Sequence, residues 1–162
     1  MRRISIVLVF AGVCIGTATA RPTGLGLGLM GGDPSGISLK VWTGGRVAFD
    51  AGLGYSYFRY GAAPHLHGDV LWHSRSLVAD YDGYLPLYVG VGARLKLADA
   101  PDFPGVRLGV RVPFGIEYVF APVPIGLFLE LVPVLDVTPP DGWFGYNSSI
   151  GFRYYFASFG EE

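Results

Sequence analysis

Apolar and polar residues alternate with a period of two along most of this 162-residue chain. In 106–119, for example, valine, leucine and isoleucine alternate with arginine, glycine and glutamate. Because successive side chains of a β-strand point to opposite faces, this period predicts strands and not helices. The alternation therefore predicts an all-β fold.

Eight segments show this alternation, and turn-forming glycine, proline and aspartate separate them. They are 24–30, 36–42, 46–58, 66–73, 84–97, 106–119, 124–137 and 143–156. Their number is even, and their lengths of 7–14 residues bracket the about 9–11 residues with which a tilted strand crosses a bilayer. With short connections, they predict an eight-stranded antiparallel up-and-down transmembrane β-barrel.

The two faces of these segments differ in chemistry. One face is apolar, and the other carries glycine together with nearly all of the strand charges. Glycine weakens a strand and has no purpose on a face that looks at water. A narrow closed barrel, in contrast, has a crowded inner face that needs small residues between a few long polar ones. The glycines therefore favour the barrel over a soluble β-sandwich, the main alternative for a chain that is 51% hydrophobic and 15% charged.

The inner face of this barrel is predicted to hold a network of charges. An unpaired buried charge costs several kcal/mol, so charges in a narrow lumen need partners. We expect at least one of Arg94 and Arg111 to pair with Glu130. The predicted lumen charge network is Lys40, Asp50, His67, Asp69, Arg94, Arg111, Glu117, Glu130, Asp136 and Arg153. The same face is assigned to Arg46, His73, Lys96 and Arg107.

Aromatic residues collect near the ends of the segments, as in the interfacial girdles of membrane barrels. They are Trp42, Tyr57, Phe58, Tyr60, Trp72, Tyr81, Tyr84, Phe120, Trp143, Phe144, Tyr154 and Phe156.

The first twenty residues have the layout of a secretory signal peptide. A basic start, Met1-Arg2-Arg3, precedes an apolar run over 4–16, and Ala18-Thr19-Ala20 forms a small-x-small cleavage site. The run is shorter than the about 20 residues of a spanning helix. We therefore expect 1–20 to be a cleaved signal peptide, 21–162 to be one barrel domain, and the chain to reside in the cell outer membrane.

The last segment carries the most specific motif of the chain. Ser149, Gly151, Tyr154 and Phe156 match the pattern polar-x-Gly-x-x-aromatic-x-aromatic. This pattern resembles the insertion signal of outer-membrane barrels, most of which end at the final aromatic residue. Here 157–162 follow it. The match assigns these four residues to an assembly signal that the barrel-assembly machinery reads during biogenesis.

Further stretches at 32–37, 67–73, 85–88, 92–96, 111–115 and 128–136 are spread along most of the remaining chain. Together they resemble a family of small outer-membrane β-barrel proteins, similar in shape to OmpA/OmpX-type eight-stranded barrels. The resemblance implies the fold, the outer membrane and its lipid as surroundings. It implies no activity, so no catalytic residue is carried over from it.

Neither a metal site nor a catalytic site is predicted. His67, Asp69 and His73 share a strand face, but His67 and His73 lie about 20 Å apart at ~3.3 Å per residue and need partners from other strands to bind an ion. His73 and Ser74 are neighbours and point to opposite faces, whereas Ser74 with His65 stays open as a nucleophile and base. No cofactor is expected, and Cys14, the single cysteine, lies in the signal peptide.

The function predicted from these observations is a structural or interaction role for a monomeric barrel whose lumen is filled by the charge network. The alternatives are a lipid A-modifying barrel enzyme of the deacylase kind and a narrow channel. The formal net charge of −1 and the absence of a basic patch give no reason to expect nucleic acid as a partner.

Replacing both Tyr154 and Phe156 with alanine tests the assembly signal. We expect poor membrane insertion and degraded periplasmic chain, because the last strand would have lost both aromatic positions of the motif. Immunoblots of separated cell fractions measure the result. A normal membrane level of the double variant would mean that the motif match is accidental.

Overall fold

The computed structural model describes residues 24–57, 62–77, 83–100, 103–120, 123–138 and 143–156. The predicted signal peptide lies outside these residues. None of the segments just given includes a helix with the length and apolarity needed to cross a membrane. They form ten strands of one antiparallel sheet. The strands are β1 (Gly24–Asp33), β2 (Ser35–Trp42), β3 (Val47–Ser56), β4 (Ala63–His73), β5 (Gly83–Tyr84), β6 (Leu87–Ala100), β7 (Phe103–Arg111), β8 (Phe114–Phe120), β9 (Ile125–Asp136) and β10 (Trp143–Phe156).

Hydrogen bonds close the sheet into a ring of eight strand positions. β7 and β8 occupy a single position, because Gly92 pairs with Arg111 and Val89 with Phe114 in one continuous register. β5 and β6 share a position in the same way. The order around the ring is β1, β2, β3, β4, β5/β6, β7/β8, β9 and β10, after which β10 pairs again with β1. These eight positions correspond to the eight predicted segments.

The ring closes with a stagger of ten residues. Leu27 on β1 pairs directly with Tyr154 on β10. Following the ladder partners from Leu27 the other way around the ring leads instead to Phe144, ten residues earlier on β10. The partners on this path are Leu39, Ala51, Gly68, Ala93, Val110 and Leu135. Such a stagger means that the strands are tilted relative to the axis of the ring.

The predicted segments and the observed strands differ mainly at their ends. β4 begins at Ala63 and not at residue 66, because β3 continues to pair as far as Ser56, the ladder partner of Ala63. The longer strand brings His65 onto the same face as His67. β1 and β2 are separated by Pro34 alone, so their connection is shorter than predicted.

The interior of the ring is polar and its exterior is apolar. On β2, for instance, Lys40 is fully buried, while Leu39 and Val41 are exposed. Lys40 and Glu117 form an ion pair between β2 and β8, which lie on opposite sides of the ring, so the buried face is the inner one. The strand residues that alternate in the sequence therefore place their charged side chains inside the ring and their apolar side chains outside.

Among the described residues, two lie on the other side from the one predicted. Arg46 is exposed, because it precedes β3 in the connection from β2, where the alternation of a strand does not apply. Trp42 belongs to the interior and not to an outer girdle, since it is two residues from Lys40 and therefore shares its face. The Trp42 ring lies 4.1 Å from that of His73, centroid to centroid.

The seam between β1 and β10 offers a matched pair of glycines. A Cβ atom on Gly28 would overlap the carbonyl oxygen of Phe152, whereas one on Gly31 would meet its nearest neighbour, the carbonyl oxygen of Ile150, at 4.0 Å. We expect Gly28→Ala to lower the free energy of unfolding by about 1–3 kcal/mol through overpacking. Gly31→Ala should be neutral or slightly stabilising. Urea unfolding of the purified protein measures both, and equal stabilities would contradict the close approach.

Candidate functional site

All ten residues of the predicted charge network are buried, each at most 6% exposed. They come from β2, β3, β4, β6, β7, β8, β9 and β10, so most of the ring contributes to the interior. Lys96, Arg107 and His73, which were assigned to the same face, are buried as well. The structure thus brings these charges into one enclosed space.

Glu117 of β8 is the centre of one cluster. Its carboxylate accepts hydrogen bonds from the ammonium of Lys40 at 2.5 Å, from the hydroxyl of Tyr155, and from Nη1 of Arg153 at 3.4 Å. The same ammonium lies 2.9 Å from Nε2 of His73. This cluster ties β2, β4, β8 and β10 together through the interior.

Arg153 connects the Glu117 cluster to β3. Its Nη2 lies 2.8 Å from Oδ1 of Asp50, and its Nε donates to the hydroxyl of Ser38 at 2.8 Å. The guanidinium also lies 3.8 Å from the centre of the Phe128 ring, a cation–π contact. One side chain therefore contacts four other strands, β2, β3, β8 and β9.

Arg111 of β7 holds a second cluster. Its Nη2 donates to Oε1 of Glu130 at 3.2 Å, which is the pairing expected for one of the two arginines. Its Nε lies 3.0 Å from Oδ1 of Asp69, an ion pair without the alignment of a hydrogen bond. The other oxygen of Glu130 accepts from the hydroxyl of Tyr88 at 3.0 Å.

Arg94 of β6 forms a third cluster, towards the end of the ring where β1 turns into β2. Its Nη2 and Nε contact the carboxylate of Asp136 at 2.8 and 3.2 Å, a forked pairing that fixes the planes of both groups. Its Nη1 donates to the amide oxygen of Asn147 at 2.9 Å. The amide nitrogen of Asn147 in turn donates to Asp33 at 2.7 Å.

Four residues of the interior that the predicted network did not include lie two positions from a predicted site residue on the same strand. Ser38 and Trp42 flank Lys40 at a spacing of two, Tyr155 follows Arg153, and Asn147 precedes Ser149, all by the same spacing. Residues at an even spacing from an inward-facing charge on the same strand share its face, and applying this rule to each charge would have identified these four residues. Their polar groups are weaker signals than charges, and no sequence pattern shows which of them reach a partner.

Histidine and carboxylate ligands meet at one place in the interior. Asp50, His67 and Asp69 are all buried, and each offers a ligand atom within 4.8 Å of those of the other two. The sequence places His67 and Asp69 on one strand face, but Asp50 reaches them only because β3 pairs with β4.

The residues of the enzyme alternative do not meet. The hydroxyl of Ser74 donates to the carbonyl of Arg75 at 2.7 Å and accepts from the amide of Leu87 at 3.0 Å. The nitrogens of His73 lie near Lys40 and the carbonyl of Arg46. His65 lies near the first residue of β4, whereas Ser74 follows its last residue. Neither histidine is thus arranged as a base for Ser74.

An open groove of about 920 Å³ crosses the outer wall beside Ser74. Most of its lining is apolar and comes from side chains that β4, β6, β8 and β9 turn outward. His73, Tyr88 and Glu130 also line it, but they are buried: His73 lies against Lys40, and Tyr88 is hydrogen-bonded to Glu130. The groove therefore offers an apolar surface and no pair of reacting groups.

The four residues of the predicted assembly signal divide between the two faces of β10. Ser149 is buried on the interior side, and Gly151 follows on that side. Tyr154 and Phe156 are on the other side, with their rings 5.1 Å apart, centroid to centroid. Because β10 pairs with both β9 and β1, these residues lie on the strand that closes the ring.

No protein-family model, curated protein or solved structure matches this chain. Its function is therefore inferred from the geometry and chemistry of its own residues.

Glu130→Ala tests whether the network stabilises the fold. The change leaves Tyr88 without its acceptor and Arg111 with Asp69 as its remaining carboxylate, so we expect a loss of about 3 kcal/mol in the free energy of unfolding. The neighbouring Leu129→Val, on the exposed face, serves as the control and should cost far less. Denaturant unfolding measures both, and equal losses would mean that the contacts of Glu130 contribute nothing to stability.

Proposed function

We propose that this chain is a monomeric transmembrane β-barrel of a bacterial outer membrane, with a structural or interaction role, and that its charged interior is a plug. The observation that carries the proposal is the inverted polarity of the ring. Charges are enclosed by the wall, and large apolar side chains cover the outside. The proposed partners are outer-membrane lipid and, during biogenesis, the barrel-assembly machinery.

The exterior supports a lipid environment. Thirty-two large hydrophobic side chains are exposed among the described residues. The charged side chains described as exposed are Arg46 and Arg75, and both lie in connections between strands. A soluble monomer rarely exposes contiguous apolar surface beyond a few hundred Å². An outward apolar band around a ring of strands is what a bilayer requires.

The closed ring supports the same proposal. The hydrocarbon of a bilayer offers no partner for a backbone N–H or C=O group, so a spanning sheet must have no open edge. The pairing of β1 with β10 removes the edge that either strand would otherwise present. Eight strand positions also suit a barrel whose interior is filled by side chains.

The plug is supported by contacts that cross the interior. Lys40 and Glu117 join opposite walls, and Arg94 on β6 reaches past the neighbouring β7 to Asp136 on β9 and Asn147 on β10. Side chains that meet across the lumen obstruct it and hold the walls at a fixed distance. These contacts favour a structural role over the narrow channel.

A lysine on the exterior distinguishes lipid from water. Leu129 and Leu77 are similarly exposed, at 56% and 58%, but Leu129 lies within β9 and Leu77 in a connection. In lipid vesicles we expect Leu129→Lys to lower the free energy of unfolding by about 2–4 kcal/mol. Leu77→Lys, the control, should stay within about 0.5 kcal/mol of the parent. A neutral Leu129→Lys would contradict a lipid-facing wall.

Three further measurements test the role. The chain should fractionate with the outer membrane, since its exterior would be insoluble elsewhere. In planar bilayers it should show no steady ion conductance, and a steady conductance would favour the channel instead.

Deleting the gene should leave the mass spectrum of lipid A unchanged, and a changed spectrum would favour the lipid-modifying enzyme.

A further inference from the structure

The inner face of β4 carries most of the unsatisfied polar atoms of the interior. Among the described residues, both ring nitrogens of His65, Nδ1 of His67 and both carboxylate oxygens of Asp69 are buried without a hydrogen-bond partner, and of these Oδ1 of Asp69 has an ion pair with Arg111. Native interiors leave few such groups, and each calls for an explanation such as a bound ion. Here they lie consecutively along a single stripe of one strand.

Two carboxylates face each other beside this stripe. Asp50 on β3 is the direct ladder partner of Asp69 on β4, and both side chains are buried on the inner face. Like charges placed directly opposite on neighbouring strands repel each other and destabilise the pair. Arg153 contacts Asp50 and Arg111 contacts Asp69, so each arginine serves one carboxylate of the pair. A cation held by both carboxylates would remove the remaining repulsion.

His67 supplies a nitrogen ligand at the same place. It precedes Asp69 by two residues on the same face, and it is only 4% exposed. Glycines opposite the two side chains make room for them, because a Cβ on Gly52 would collide with the His67 ring and one on Gly92 with the Asp69 carboxylate. The ligand atoms of Asp50, His67 and Asp69 all lie within 4.8 Å of one another.

We propose that Asp50, His67 and Asp69 bind a divalent transition-metal ion, with Zn²⁺ as the best match. Imidazole nitrogen together with carboxylate oxygen is a donor set that Zn²⁺ accepts, at bond lengths of about 2.0–2.2 Å. Tetrahedral ligands at that distance are about 3.3 Å apart. Small rotations of the three side chains therefore bring them into position.

The surrounding network allows the two carboxylates to turn towards the ion. Arg111 also pairs with Glu130 and Arg153 also pairs with Glu117, so each arginine keeps a carboxylate partner. Three protein ligands leave one position of a tetrahedron open. His65 lies on the same stripe of β4, with its ring 5.3 Å from that of His67, centroid to centroid.

The test uses the folded full chain without a histidine tag. The protein is equilibrated with Zn²⁺, dialysed against metal-free buffer and analysed for bound metal by mass spectrometry, and its affinity is measured by competition with a chelator. We expect one Zn²⁺ per chain. Replacing Zn²⁺ with Co²⁺ should give the visible absorption of a tetrahedral site with nitrogen and oxygen ligands.

Asp69→Asn and His67→Gln are the decisive variants. Because loss of a group that merely orients a ligand already costs about 10–100-fold in affinity, loss of a ligand should cost at least about 100-fold. His73→Gln, which changes another buried histidine of β4, should retain the parent's affinity. Asp69→Asn removes both the repulsion with Asp50 and the ion pair with Arg111, which keeps Glu130 as its carboxylate partner, so the folding of this variant is measured without metal as well.

Two results would overturn the proposal. The first is a parent protein that retains no stoichiometric Zn²⁺ after dialysis. The second is equal Zn²⁺ binding by the parent, Asp69→Asn and His67→Gln, which would place the ion elsewhere on the chain. Each variant is checked for folding by circular dichroism, and His67→Gln answers the question if Asp69→Asn fails to fold.

Discussion

The ladder between β1 and β10 is the contact on which the rest of the structure depends, because it turns a sheet with two open edges into a ring. It runs over nearly the whole length of β1, from Leu25 to Asp33. An open sheet would present unpaired N–H and C=O groups along both outer strands. Closure also defines an inside and an outside, so that every strand has one enclosed face. The burial of the charges follows from this pairing.

The charge network restricts the register of the ring. A slip by one residue exchanges the two faces of a strand, which would turn arginines and carboxylates outward and leucines and valines inward. Breaking a buried ion pair by removing one partner costs about 3–5 kcal/mol. A buried ion pair often does not make a fold more stable than apolar residues of the same size would. It does make a register that separates the two charges strongly unfavourable. Arg153 and Arg111 extend this effect, since each contacts two carboxylates.

The Asp50–Asp69 pair departs from the otherwise alternating charges of the interior. Elsewhere a cation separates neighbouring carboxylates, as Lys40 and Arg153 surround Glu117. At the β3–β4 ladder two carboxylates are direct partners, and a histidine with an unsatisfied nitrogen lies beside them. Two like charges placed directly opposite each other oppose folding, and such unfavourable arrangements are expected more at functional positions than at purely structural ones. The network that we propose to be structural thus contains the place at which we propose that an ion binds.

The sequence by itself determined the strands, their number around the ring and the face to which most side chains belong. A period of two is a local property, so it can be read without knowing what any strand pairs with. It failed where the strand ended, as at Arg46, and where a strand extended further than its pattern, as at His65. Only the tertiary structure decided which charges meet, because partners such as Lys40 and Glu117 are 77 residues apart and come together through the stagger of the closed ring. The juxtaposition of Asp50 with His67 and Asp69 has the same origin: inter-strand register aligns them, and no local pattern in either strand specifies that register.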